Sequence, residues 1–322
     1  MSPRDADWER RIGRQLKLRD LHVLIAVAQH GSMAKAASHL SVTQPAISQA
    51  IADLERVVGV RLVDRGPRGV ELTIYGEKLL KRGADAFDAL KQGLRDIEFL
   101  SDPGSAEVCI GADMSYIAGG FVATMIQRIS QRHPRLAVQV IETTTSMAAP
   151  EFRELRDRKV DLVLGRISNP IVADDLNVEP LFDESIVVVT SAQSEWANRA
   201  EIDLTDLRNA SWILAPPPNM ARELVERTFR AKGLEPPQPK VTTYSMQLRL
   251  QLLTSGRYIT VFTDSTVRYS ADRWLLKILP IELGPRLPVV AVTLKHRTLS
   301  PAAELFINEV RAATRATTCQ SS

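Results

Sequence analysis

Between Thr73 and about Leu100 the apolar residues Tyr75, Leu79, Leu80, Phe87, Leu90, Leu94, Ile97 and Phe99 are threaded through charges, with no proline before Pro103. At 1.5 Å per residue, about 28 residues in this pattern make a rod of about 40 Å. A helix that long, with no neighbour close in sequence, buries its apolar stripe against a copy of itself. Ser101, Asp102, Pro103 and Gly104 then break it. The rod divides the chain into unlike parts, with short punctuated helices before it and alternating strands and helices after it. A chain of 322 residues also exceeds one ordinary core.

Residues 1–17 are charged and carry no apolar period. From Leu18 to His30, Leu21, Leu24, Ile25 and Ala28 recur at helical spacing, and Gly31 ends the run. Ser32 is placed to cap a short second helix with Met33, Ala36, Ala37 and Leu40 on one face. Thr43 sits where a third N-cap belongs, and Pro45 is tolerated in the first turn, where its missing N–H costs nothing. The inward face of this third helix reads Ile47, Ile51, Leu54 and Val58, which leaves Gln44, Ser48, Gln49 and Ala52 on another face. Gly59 closes it. Two short apolar runs, 61–63 and 70–72, flank a turn holding Gly66, Pro67 and Gly69, with Arg65 and Arg68 at its edge, and predict a small β-hairpin or wing.

Beyond the linker, strand-like runs (AEVCIGA, LAVQVIE, VDLVLGRI, SIVVVTS, SWILAPP, KVTTYS, YITVFT, VVAVTL) alternate with helical ones at 116–132, 147–158, 220–232 and 246–255, and a last helix starts at 301. This predicts an α/β fold with mainly parallel central strands. Crossings near 169–175 and 266–274 would divide it into two lobes around a cleft. The expected domains are 1–72, a helical winged unit with its lead-in; 73–104, the linker and dimerisation helix with its hinge; and 105–322, the α/β part. Its first lobe is about 105–170 with 275–322, and its second about 171–274.

Residues 1–82 hold 14 Lys and Arg against 9 Asp and Glu, a net +5, whereas the remainder comes to −2. A basic module joined to a near-neutral remainder suits polyanion binding. No apolar run is long enough to cross a bilayer and the start is too charged for a signal peptide, so a cytoplasmic protein without membrane contact is expected. Cys109 and Cys319 offer neither a disulfide framework nor a metal spacing. No metal or cofactor is expected. Nucleophile-elbow, phosphate-loop, dinucleotide and zinc-protease motifs are missing and the five histidines form no spaced set, so no enzyme is expected.

The stretch GSMAKAASHLSVTQPAISQAIADLERVVGVRLVDRGPRGVELTIYGEKLL resembles the DNA-binding region of the LysR-type transcriptional regulators. The resemblance is dense over residues 18–82. It is carried by Gly31-Ser32, Ala36-Ala37, Thr43-Gln44-Pro45-Ala46-Ile47-Ser48, Leu54-Glu55, Gly59-Val60, Leu62 to Arg65, and Leu72-Thr73 with Gly76. Met33 and the run Leu62-Val63 replace phenylalanines frequent in that family. The resemblance implies an N-terminal winged helix-turn-helix, a long linker helix and a two-lobed periplasmic-binding-protein-like α/β domain. It also implies a bacterial homodimer joined through the linker helices, paired again into a tetramer, that binds double-stranded DNA under control of a small organic effector held between the lobes.

In such a module the third helix presents its first turns to base edges. Gln44 and Gln49 can pair bidentately with adenine, Thr43 and Ser48 can meet bases or phosphate, and Pro45 can meet a thymine methyl. Arg65 and Arg68 on the wing, Lys35 and Ser32 complete the expected DNA-binding set, as phosphate or minor-groove contacts. Helix capping accounts equally well for Thr43 and Pro45, and Arg65 has Asp64 as an alternative partner. By similarity to the family, Ser115, Thr144 and Arg166 are the expected effector contacts, with Ser245 and Thr263 at comparable positions in the second lobe. Capping is the competing role for the hydroxyls. For Arg166 it is an ion pair with Asp161 or another nearby acid. The LVLGRI wording is similar to a branch of the family that answers to aromatic acids or sugars. An architectural DNA binder whose C-terminal part only oligomerises is the alternative function.

Overall fold

The computed structural model describes residues 15–66, 69–102, 106–143, 152–167, 173–199 and 201–318. The chain forms two compact units, residues 1–93 and 94–322, so the division falls inside the long helix and not at its end.

In the first unit, α1 (Leu18–His30), α2 (Met33–His39) and α3 (Gln44–Val58) are followed by β1 (Val63–Gly66), β2 (Gly69–Leu72) and α4 (Ile74–Ser101). Gly31 ends α1 at φ 61°, a left-handed conformation that a side chain would strain. Ser32 and Thr43 cap α2 and α3, accepting the amides of Lys35 and Ala46 at 3.5 and 3.4 Å. Leu24, Val27, Ala36, Ile47, Ile51 and Leu54 close a core that is shut to solvent. The wing pairs in register Val63 to Leu72 and Gly66 to Gly69. It is tied down at both roots: the Glu55 carboxylate accepts the amides of Leu62 at 2.7 Å and Val63 at 3.3 Å, and the Val70 amide donates to Gly31 O at 3.0 Å.

The second unit has two five-stranded sheets. The strands of the first are β3 (Glu107–Asp113), β4 (Ala137–Thr143), β5 (Leu162–Arg166), β6 (Leu176–Glu184) and β12 (Leu287–Leu294), in the order β4-β3-β5-β12-β6. The second sheet is built from β7 (Ile186–Ser191), β8 (Ser211–Leu214), β9 (Val241–Thr242), β10 (Tyr258–Thr263) and β11 (Leu276–Glu282), ordered β11-β7-β10-β8-β9. The helices are α5 (Met114–Ala118), α6 (Phe121–Arg132), α7 (Arg153–Arg156), α8 (Met220–Ala231), α9 (Met246–Leu253), α10 (Asp264–Trp274) and α11 (Pro301–Thr318).

Two expectations are corrected and one, the mainly parallel sheets, is refined. Residues 176–184 form a strand of the first sheet and 276–282 a strand of the second, so the chain crosses at Ser185 and again between Glu282 and Leu287, not near 169–175 and 266–274. The sheets are mixed. In each, four strands point the same way and one, β12 or β7, runs antiparallel to both its neighbours, because it arrives by direct crossing from the other sheet and so enters from the opposite end. Finally, the expected helix at 116–132 is two helices. Gly120 takes φ 88° between them, and a Cβ on Gly119 would meet the carbonyl oxygen of Ser115 at 2.4 Å and the hydroxyl of Thr266 at 2.7 Å.

Candidate nucleic-acid interface and inter-lobe site

The first turns of α3 stand out from the first unit. Thr43, Gln44, Pro45 and Gln49 are exposed and Ser48 is half-buried, while Ile47 and Ile51 anchor the opposite face in the core. Lys35 is exposed on α2. Ser32 and Thr43 spend their side-chain oxygens on caps in the free protein. Arg65 lies in β1; its side chain, Arg68 and Thr144 fall outside the described residues.

Sequence reasoning missed a local device on α3. Gln49 Nε2 donates to Asp53 Oδ1 at 2.9 Å, and Arg56 donates to the same oxygen at 2.5 Å. The Arg56 and Gln49 hydrogen bonds hold the Asp53 carboxyl below the usual carboxylate value. The spacing of four and three residues that brings these groups onto one face was visible in the sequence.

In the second unit a cavity of about 410 Å³ lies between the two sheets, within the range for a small organic ligand. Asp113, Met114, Ser115, Glu142, Thr143 and Arg166 line it from the first lobe. Ile186, Ala215, Asn219, Tyr244, Met246, Arg249, Phe262 and Thr263 line it from the second. Three of the expected residues, Ser115, Arg166 and Thr263, are therefore brought together. Ser245 is not: it caps α9, accepting Leu248 N at 3.2 Å, and its neighbours Tyr244 and Met246 face the cavity instead.

Most of these groups are already engaged. The Ser115 hydroxyl donates to Asp113 at 2.7 Å, and the Thr263 hydroxyl lies 2.9 Å from those of Ser265 and Thr266. Arg166 is paired, with Glu184 and not Asp161: Nη1 to Oε1 is 2.8 Å, both side chains are buried, and Arg166 Nε has no partner among the described residues. Tyr116 donates to the same Glu184 oxygen, and Ser265 of the second lobe donates to the other at 2.6 Å. Burial pushes the Tyr116 phenol well above its ordinary value, so it remains a donor. Asp161 instead meets Arg297 at 3.1 Å and Arg95 of α4 at 3.5 Å.

Glu184 and Arg249 were both missed from the sequence. Glu184 sits in a run, EPLFDES, that carries no strand alternation. Arg249 lies inside MQLRLQLL, where nothing separates a surface arginine from one turned inward.

A winged three-helix module carrying an exposed recognition helix, joined through a long helix to a two-lobed α/β unit with a cleft, defines a DNA-binding regulator with a sensor domain. Residues 18–77 match the family described as "Bacterial regulatory helix-turn-helix protein, lysR family", and residues 101–315 match the LysR substrate binding domain. The chain belongs to the LysR family of bacterial transcriptional regulators.

It is 28% identical over 301 residues to the HTH-type transcriptional regulator GbpR of Azospirillum brasilense, covering 93% of this chain and 87% of that one. It is 30% identical over 297 residues to TdcA of Escherichia coli K12, covering 90% and 91%. Among solved structures, a variant of full-length OxyR from Pseudomonas aeruginosa aligns with TM-score 0.62 at 22% identity, covering 92% and 95%. Full-length CbnR in complex with its target DNA aligns with TM-score 0.57 at 21% identity, covering 92% and 100%. These two likenesses establish the fold. Among the described residues no helix is long and apolar enough to cross a membrane, and no group of three His, Cys, Asp or Glu could hold a metal ion.

Proposed function

We propose that this protein binds a specific DNA site as a cytoplasmic dimer joined through α4, that dimers pair into a tetramer, and that a small organic molecule in the inter-lobe cavity changes how they sit on DNA. The carrying observation is the presence, in one chain, of an exposed polar recognition surface on α3 and a cavity between two lobes. Gln44, Ser48 and Gln49 read bases, while Lys35, Arg65 and Arg68 hold phosphates. The fold shared with CbnR, solved on its target DNA, supports the same docking. Leu90, Leu94, Ile97 and Leu100 of α4 are 49–80% exposed, an apolar stripe suited to a second copy. The cavity favours a sensor over a purely architectural role.

The test is a binding titration of the full chain against the DNA upstream of its own gene and against a scrambled duplex, at two salt concentrations. Selective binding that persists at the higher salt supports the reading. Weak, equal binding lost with salt would leave only a nonspecific basic surface.

A further inference from the structure

The cavity carries an imbalance of charge that bears on what it accepts. Asp113 caps α5 and Arg166 is matched by Glu184, so the first lobe's buried charges have counterparts. Arg249 of α9 does not. Its Nε is enclosed and without a hydrogen-bond partner, and Nη1 makes one long contact, 3.3 Å, to Val261 O. The guanidinium stands 5.1 Å from the Phe262 ring centroid. No carboxylate among the described residues comes within ion-pair distance of it. Burial alone pushes its pKa down to about 10, which leaves it charged at neutral pH. A guanidinium offers five N–H donors in a fork that fits a carboxylate, and here nearly all are unspent.

The surroundings extend this. The first turn of α8, at Asn219, Met220 and Ala221, reaches the same wall and adds a favourable field for an anion. Apolar surface from Met246 and Phe262 suits a hydrocarbon body. Asp113 and Glu142, across the cleft, accept hydrogen bonds and repel a second anionic end.

We propose that the effector is a small organic acid whose single carboxylate is gripped by Arg249, with a hydroxyl or amine at its other end facing Asp113 and Glu142. This rests on the cavity being the effector site. It explains why a half-buried cation with no carboxylate partner among the described residues persists in the chain: the ligand supplies the missing counterion.

The test is calorimetric titration and thermal shift of the full-length protein with phenylacetate, 4-hydroxyphenylacetate and the uncharged phenylacetamide, on wild type, Arg249→Met and Arg249→Lys. Both acids should bind wild type, the hydroxylated one more tightly, with the amide roughly 10- to 100-fold weaker. Arg249→Met should lose the distinction between acid and amide while melting no lower than wild type without ligand, and Arg249→Lys should retain part of it. Equal binding of acid and amide to wild type, undiminished binding of the acids to Arg249→Met, or no binding of either acid to wild type would each overturn the proposal. D-glucose separates the two levels of failure. If it stabilises wild type and Arg249→Met alike, the cavity remains a ligand site and only the acid assignment falls; if neither acids nor sugar bind, the effector-site reading falls with it.

Discussion

Arg166 and Glu184 form a buried ion pair, 2.8 Å from guanidinium to carboxylate, at the point where the chain leaves the first lobe. Glu184 is the last residue of β6, and its second oxygen takes the Ser265 hydroxyl from the other lobe. The carboxylate thus joins both lobes beside the cavity. Breaking a buried pair by removing one partner leaves an uncompensated charge, which costs far more than the intact pair contributes. Glu184→Gln should therefore destabilise the protein by about 3 kcal/mol in urea unfolding. Arg166→Met with Glu184→Leu should recover most of that loss. Recovery absent from the double variant would mean that the hydrogen bonds from Tyr116 and Ser265, and not the charge pair, set the cost.

Gln49 is tethered to Asp53 in the free protein. If it reads a base, Gln49→Ala should weaken the specific site by about 1–3 kcal/mol and leave scrambled DNA almost unaffected. Equal losses on both duplexes would remove Gln49 from the base-reading set.

Asp53 supplies a pH dependence whose sign follows from its partners. Arg56 and Gln49 hold its folded pKa below the ordinary 3.8, so the stabilisation is complete above that value and disappears as pH falls through the lowered one. Urea unfolding followed by circular dichroism across this pH range should show Asp53→Asn less stable than wild type near neutrality, by a margin that closes as pH falls through that window.

Gly76 lies in the first turn of α4, where an added Cβ would come within 2.1 Å of Leu62 O at the root of the wing. Gly76→Ala must push the wing away and should cost about 2 kcal/mol. Thermal melts will show this directly, and affinity for specific and random DNA should fall together because the wing contacts are positional.

Leu94 and Ile97 are 63% and 60% exposed on α4. If they seal a dimer, each contributes about 1.5–3 kcal/mol of burial. Leu94→Ser with Ile97→Ser should weaken self-association at least about tenfold in sedimentation equilibrium. An unchanged dissociation constant would place the interface elsewhere.

The helical triplet, its caps at Ser32 and Thr43, the wing and the long helix were legible from the sequence. Each is governed by residues a few positions apart: the cap oxygen three residues from its amide, the core face repeating every three or four, the hairpin closed by its own turn. The family resemblance, resting on that same stretch, brought the two-lobed sensor and several cleft residues within reach.

What only the tertiary structure decided is which lobe owns β6 and β11, that Arg166 is matched by Glu184, that Ser245 spends its hydroxyl capping α9 while Met246 and Arg249 of that helix line the cavity, and that Arg249 is left unmatched inside it. The partners of Glu184 lie 18, 68 and 81 residues away in sequence. No periodicity or motif spans such distances. A buried charge acquires its partner, or fails to, only when crossing strands close two sheets around it, and for this protein that closure sets the chemistry of the cleft.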